Sequence, residues 1–226
     1  MTWLRLLLYS CLSIGMVSLS ACTTTYSAKP MTATVVDAET GQPLESVNVV
    51  AQWILHGPTW RSAGSLEVDE AVTDKDGKFH IPGWGPKAIP DDLPRGTRLG
   101  NSDPALIFFK SGYRIRHLGN ELQLNRLRPE DDTPVRSSDW DGKVIKLEKF
   151  KGTQQDYAGM LSLGSGFYYQ DCKWVKFRRW LMAMFREADT LDALHVRNTI
   201  DNYRLFAVRN RTECGSLEKI FAEYLK

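Results

Sequence analysis

Histidine and cysteine are scarce in this sequence, with four of each among 226 residues. The histidines His56, His80, His117 and His195 lie far apart, and none begins a His-x-x-Glu pair. A zinc peptidase needs closely spaced His and Glu ligands and one further His, so this pattern does not supply its metal site. No other catalytic set is visible, and we therefore predict a non-catalytic protein without a metal or cofactor.

An excess of charge of one sign is also absent. The chain has 29 Lys and Arg residues against 27 Asp and Glu, and its formal net charge is +2. Nucleic-acid-binding domains usually carry a clear basic excess, so we expect no nucleic-acid partner. The apolar content of 42% and charged content of 25% are ordinary for a globular protein.

The N-terminal apolar run is too short to span a membrane comfortably. Arg5 precedes an apolar stretch over about residues 6–19, whereas a spanning helix needs about 20 apolar residues. A basic start, a short apolar stretch and small residues before a cleavage point are typical of a secretory signal peptide. Residues 1–21 are therefore predicted to be a signal peptide.

The end of this segment, Leu19-Ser20-Ala21-Cys22, resembles the lipobox of bacterial lipoproteins. The resemblance implies that Cys22 is acylated and becomes the first residue of the mature chain, anchored by two or more acyl chains such as palmitate. Thr23, rather than Asp, follows the cysteine, which in Gram-negative lipoproteins favours the outer membrane. We expect a lipid-anchored protein facing the periplasm or the cell exterior. The alternative is a plain secreted protein with a chance cysteine at the cleavage point.

The remaining cysteines predict a disulfide. Cys11 is lost with the signal peptide and Cys22 takes lipid, which leaves Cys172 and Cys214 in an oxidising compartment. A bond between them would close a loop of roughly 43 residues, worth about 4 kcal/mol in the chain-entropy model. The alternative is two buried free thiols.

Residues 31–150 have the pattern of a β-region. Alternating or continuous apolar residues predict seven strands, over residues 32–36, 46–55, 66–73, 78–82, 105–109, 113–118 and 143–150. The run at 105–109 is apolar throughout, which predicts a central strand buried on both faces. Asp74-Lys75-Asp76-Gly77 predicts a tight turn. It resembles the start of a calcium loop, but the twelfth position, where such a loop needs Glu, is Gly85.

The segments between these strands are predicted to be irregular. Residues 22–30 are small and polar and indicate a tether between the lipid and the first strand. Residues 83–104 are rich in Pro and Gly and predict a long loop. Residues 120–142 are polar, with a short helix expected around residues 122–127.

A helical region is predicted over residues 151–226. Apolar residues recur at helical spacing over residues 171–187 and about 190–211, and a third helix is expected from Ser216. Asp189 or Thr190 is expected to cap the second of these helices. The proposed disulfide would join the start of the first helix to the turn before the third.

Three segments of the β-region, residues 35–47, 73–79 and 108–113, resemble the carboxypeptidase regulatory-like domain. Each makes physical sense alone, as a strand–turn–strand, a tight hairpin and a buried strand that ends in a Gly-Tyr turn. The resemblance implies a transthyretin-like β-sandwich over residues 31–150. It does not fix a function, because one fold hosts many activities. The helical region lies outside the resemblance.

Trp60, Trp84 and Trp140 lie in predicted loops. Exposed aromatic rings often anchor a partner or stack on a sugar, so these residues form one candidate binding surface. The alternative is that they fold back over the ends of the sandwich, since burial of a tryptophan removes a large apolar area from water.

Arginines in the helical region form a second candidate surface. Arg197, Arg204 and Arg211 recur every seven residues and so share roughly one helix face. In a lipid-anchored protein such a stripe could meet anionic lipid or lipopolysaccharide phosphates. The alternative is a solvated helix face.

Together these features predict a lipid-anchored envelope protein that acts as a non-catalytic binding or scaffold module, with an envelope protein or glycan as its partner. The first alternative is an accessory subunit or inhibitor of an envelope enzyme, and the second is an unrecognised hydrolase.

Overall fold

The computed structural model describes residues 25–100, 102–120, 134–163, 172–198 and 221–222. These residues form a mainly β structure with a helical layer. Eleven strands precede two α-helices, which are separated by a 3-10 helix. The strands are β1 (Thr25–Ala28), β2 (Met31–Asp37), β3 (Asn48–His56), β4 (Ser62–Val72), β5 (Lys78–Ile81), β6 (Trp84–Ala88), β7 (Arg98–Leu99), β8 (Ala105–Phe109), β9 (Arg116–Leu118), β10 (Val135–Arg136) and β11 (Val144–Leu147). The helices are α1 (Gln154–Leu163), the 3-10 helix (Cys172–Phe177) and α2 (Arg178–Ala193).

The strands form three sheets arranged like a sandwich. The largest has the order β4-β3-β8-β9, with β7 paired to β3, and all of these pairs are antiparallel. Two small sheets have the orders β10-β1-β6 and β11-β2-β5. In each small sheet one pair is parallel and one is antiparallel. The predicted β-sandwich class is confirmed at this level, although four more strands are present than the seven predicted.

The main core lies between the large sheet and the two small ones. It is a continuous cluster of buried apolar side chains from all three sheets. Phe79 of β5 meets Phe108 of β8 edge-on, with ring centroids 5.8 Å apart. The alternation of apolar residues along these strands therefore directs one face of each sheet inward.

A second core covers the outer face of the large sheet. Val50, Val68, Ile107 and Phe109 point away from the sandwich and pack against α1, the 3-10 helix and α2. β3 and β8 are consequently buried on both faces, which confirms the prediction for residues 105–109. The helical region packs directly on the sandwich.

The helix boundaries differ from the predicted ones. α2 runs through Asp189 and Thr190, so neither caps a new helix, and the helix ends at Ala193. The apolar face continues past the predicted end because Ala188 and Leu191 extend the second core, while Asp189 and Thr190 are on the exposed side. The prediction of three helices is not matched: the described residues contain two α-helices, one of which, α1, had not been predicted. Most of the predicted second and third helices lies outside the described residues.

Two predicted irregular segments contain strands. Residues 25–28 form β1, and its Tyr26 is buried, so the predicted tether is at least partly sheet. Residues 84–88 and 98–99 form β6 and β7 within the predicted long loop. β6 tolerates its Gly and Pro because it is at the edge of its sheet. The helix expected around residues 122–127 lies outside the described residues.

The predicted turn at residues 74–77 is confirmed. The amide of Gly77 donates to the carbonyl oxygen of Asp74, and the Asp74 carboxylate accepts the amides of Asp76 and Lys78, each at 2.9 Å. Gly77 has a φ of +70°. A Cβ at this glycine would lie 2.4 Å from the carbonyl oxygen of Val35, so both conformation and space require glycine here.

Candidate functional site

An exposed loop tip carries the most prominent aromatic side chain of the described surface. The loop between β3 and β4 is closed by hydrogen bonds from the amide of Gly57 to the Arg61 carbonyl and from the amide of Trp60 to the Gly57 carbonyl, each at 2.9 Å. Trp60 has a φ of +60° and remains 61% exposed. This conformation is uncommon for a bulky residue and places the indole at the apex of the loop.

Two side chains contact the Trp60 indole. The guanidinium of Arg98 lies 4.4 Å from the ring centroid, which is a cation–π distance. The ring of His56 lies 6.1 Å away, and its Nδ1 is 3.4 Å from the Trp60 carbonyl oxygen. We call His56, Trp60, Arg61 and Arg98 the Trp60 tip. The tip combines an exposed apolar ring with two arginines.

β7 fixes the position of Arg98. Its residues Arg98 and Leu99 pair with His56 and Leu55 of β3, which brings Arg98 onto the same end of the sheet as Trp60. Gly100 follows, and a Cβ there would lie 3.0 Å from Nε2 of His56. The imidazole thus packs directly on the backbone of Gly100.

A buried carboxylate supports this end of the sheet. Asp103 is 2% exposed and accepts the amide of Ile54 through Oδ1 at 3.1 Å. Burial raises the pKa of Asp103 to about 7, against the opposing effects of the Ile54 hydrogen bond and the nearby positive charge of Arg136. Arg136 is itself buried and donates to the Leu99 carbonyl at 3.4 Å. Asp103 therefore ties the segment that follows Arg98 to β3, and Arg136 ties Leu99 to β10.

The other two candidate tryptophans pack against the main core and are partly buried. Trp84 meets Trp53 edge-on, with ring centroids 5.2 Å apart. Trp140 donates its indole N–H to the Gly119 carbonyl at 2.9 Å. Trp84 and Trp140 therefore fold back over the sandwich, which was the alternative to a binding surface. Of the three candidate tryptophans, Trp60 alone is exposed.

The arginine stripe is described only at its start. Arg197 is exposed beyond the end of α2, and its carbonyl accepts a hydrogen bond from Gln155. Arg204 and Arg211 lie outside the described residues. The arginine stripe therefore stays a prediction.

The cysteine predictions also fall largely outside the described residues, which include neither Cys22 nor Cys214. Cys172 begins the 3-10 helix beside the large sheet. Lipidation and the Cys172–Cys214 disulfide stay predictions. Among the described helices, none is long and apolar enough to cross a membrane.

A second charged site surrounds Asp37, which is 3% exposed. Its carboxylate accepts the amides of Glu39 and Thr40 at 2.9 Å and the hydroxyl of Tyr113 at 2.8 Å. The Thr40 amide and the Tyr113 hydroxyl hold the pKa of Asp37 well below its usual value, and burial and Asp37 raise the pKa of Tyr113 to about 12. Because Asp37 is fully engaged in holding a turn and a tyrosine, the arrangement favours a structural role.

A shallow cleft of about 350 Å³ lies beside Asp37 and is lined by charges of both signs. Lys151 pairs with Glu39, and Lys149 lies 3.5 Å from the Asp37 carboxylate. Within the described parts of the chain, no group of three or more His, Cys, Asp or Glu side chains is placed to hold a metal ion.

Sequence reasoning found Trp60 but missed the residues around it. Arg98 falls in the segment predicted to be a loop, and its approach to Trp60 depends on a strand pair that joins residues about forty positions apart. The Asp103-Pro104 pair offers no sequence signal for a buried carboxylate. Only the isolated exposed tryptophan could be anticipated.

Comparison with known proteins gives no family. No family model matches the chain, and no curated protein matches it. Among solved structures, a 3-chlorocatechol 1,2-dioxygenase from Rhodococcus opacus 1CP aligns over 57% of this chain and 62% of that chain, at 17% identity and a TM-score of 0.34. The chain thus spans less than two thirds of that structure, and a similarity this low carries no argument about function.

Proposed function

We propose that this chain is a lipid-anchored envelope protein that acts as a non-catalytic binding module and contacts its partner through the Trp60 tip. The proposal includes acylation of Cys22, an outer-membrane location, the Cys172–Cys214 disulfide and a carboxypeptidase regulatory-like, transthyretin-like sandwich. Its partner is an envelope protein or glycan.

The observation that carries the proposal is the exposure of Trp60. Burial of a fully exposed large apolar side chain is worth about 1.5–3 kcal/mol, yet this indole stays 61% exposed. Arg98 lies over one face of the ring and leaves most of the side chain exposed. Tryptophan and arginine are among the residue types that most often dominate binding interfaces, and an indole already in contact with Arg98 loses less side-chain entropy when a partner covers it.

The rest of the tip also suits binding rather than chemistry. Its titratable side chain, His56, faces the Trp60 ring and the Gly100 backbone. The tip therefore offers an aromatic ring for stacking and the positive charges of Arg61 and Arg98.

The test places a photoreactive amino acid at Thr59, beside Trp60, in cells that express the full chain. We expect one dominant adduct, and we expect Trp60→Ala and Arg98→Ala to reduce its yield at least ten-fold. Leu194→Ala is the matched control, because Leu194 is a comparably exposed apolar residue on the helical layer, at 55%. An adduct that survives Trp60→Ala, or no adduct above background, would contradict the tip as the contact surface.

The anchor is tested separately by the mass of the N-terminal peptide of the mature protein. Acyl chains on Cys22 are the expected result, and Cys22→Ser should abolish them. A soluble, unacylated mature chain would contradict the anchored location and leave the result at the tip unaffected.

A further inference from the structure

A cluster of three lysines surrounds one buried carboxylate where β6, β4 and the 3-10 helix meet. Glu67 of β4 is 5% exposed, and it forms ion pairs with Lys87 of β6 and Lys176 of the 3-10 helix. Lys173, one helical turn earlier, donates to the Ser65 carbonyl on the same strand. We call Lys87, Lys173 and Lys176 the lysine cluster.

Lys87 and Lys176 share the single carboxylate of Glu67. Burial, followed by the positive charges of Lys176 and Lys173, lowers the pKa of Lys87. The ammonium groups are thus close enough to repel one another. The Lys87 and Lys176 side chains are still 40% and 50% exposed, so an anionic surface could approach them and relieve the repulsion.

The cluster also lies close to the proposed lipid anchor. β1 begins at Thr25, and only Thr23 and Thr24 separate it from Cys22 in the sequence. Three residues span at most about 11 Å, whatever path they take. Thr25 pairs with Ala88 and Tyr26 with Lys87, and paired strands lie about 5 Å apart. The Cα atom of Lys87 is therefore within roughly 20 Å of the Cα atom of Cys22.

We propose that the lysine cluster docks on the anionic headgroups of the membrane that holds the acyl chains of Cys22, and so fixes the orientation of the folded body. This inference rests on the proposed acylation of Cys22. A tether of two residues leaves the protein little freedom to turn another face to the bilayer, and basic residues near the anchor gain from an anionic surface. Each lysine at such a surface is worth about a five-fold gain in binding.

The experiment uses the native acylated protein in vesicles and requires no substitution. A water-soluble amine-reactive reagent modifies exposed lysines, and mass spectrometry gives the rate at each position. Vesicles of phosphatidylcholine alone are compared with vesicles that contain phosphatidylglycerol. Lys110, Lys149 and Lys151 are the internal controls, because they belong to other parts of the fold.

We expect the lysine cluster to react at least five-fold more slowly on the phosphatidylglycerol vesicles, and high salt to restore the rate. The control lysines should react equally on both. Equal rates for the cluster on the two vesicle types, or equal slowing of the controls, would overturn the docking while the acylated Cys22 peptide still supports the anchor. An unacylated peptide would overturn both.

A variant gives a second measurement. Lys173→Gln leaves both ion pairs of Glu67 intact, so it removes one charge without a buried unpaired carboxylate. We expect it to weaken the protection of Lys87 and Lys176 on anionic vesicles several-fold, and Lys149→Gln to leave that protection unchanged. Equal effects of the two variants would contradict a local docking surface.

Discussion

Phe108 and Phe109, neighbours in β8, test the two-core architecture. Both are almost fully buried, but Phe108 packs in the main core against Phe79, while Phe109 packs in the second core against Trp180, with ring centroids 6.2 Å apart. Truncation of a buried phenylalanine to alanine costs about 3–5 kcal/mol. If the helical layer packs on the sheet as described, Phe108→Ala and Phe109→Ala should destabilise the protein to a similar extent.

Urea unfolding measured by circular dichroism, under non-reducing conditions, gives the free energy of unfolding of each variant. Phe109→Leu, which nearly conserves volume, is the matched control and should cost less than about 1.5 kcal/mol. If the helices instead formed an independent domain, the Phe109 face of the sheet would be solvent-exposed. Phe109→Ala would then change the free energy of unfolding by no more than about 0.5 kcal/mol, and that result would refute the packing.

Two further predictions concern buried charge and backbone conformation. Burial raises the pKa of Asp103 from 3.8 to about 7 in the folded protein. Folding therefore favours the protonated form of this side chain. The stability that it contributes is complete below pH 3.8 and is lost as the pH rises to about 7. Asp103→Asn should remove this fall in the free energy of unfolding, measured by urea titration between pH 4.5 and 7.5, and an unchanged slope would contradict the assignment. Gly77→Ala should lower the free energy of unfolding clearly more than Gly41→Ala, for which we expect a loss of roughly 1–2 kcal/mol. Both glycines have a positive φ, but Gly41, at +69°, has open space around it. If thermal unfolding shows the same loss of stability for both variants, the new methyl group at residue 77 does not clash with the Val35 carbonyl oxygen, and the prediction is wrong.

The sequence predicted those parts of the fold that depend on local patterns. The continuous apolar run at residues 105–109 indicated a strand buried on both faces, because both of its neighbouring layers are apolar. Alternation of Phe79 and Ile81 indicated β5, and Asp74 and Gly77 specified the turn before it by their own hydrogen bonds and conformation.

The missed elements depend on long-range contacts. β6 contains Gly85 and Pro86 and has no strand pattern of its own; it forms because its edge position lets it pair with β1. β1 has two apolar residues, Tyr26 and Ala28, whose burial in the main core no local pattern reveals. α2 continues past Asp189 because Leu191 finds space in the second core. In each case tertiary packing outweighs local propensity.

The two proposed surfaces constrain each other through β4. His56 at the Trp60 tip pairs with Ser62, and Glu67 in the lysine cluster is five residues further along the same strand. Five residues of a strand span about 17 Å. If the lysine cluster is held at the headgroups, the tip cannot lie far above the bilayer, so its partner must be reachable within a few tens of ångströms of the membrane surface. Docking through the lysines is therefore incompatible with a tip adduct to a protein whose contact region lies far from the membrane. If such an adduct were found, the lysine reactivity on anionic vesicles would show whether the docking still holds.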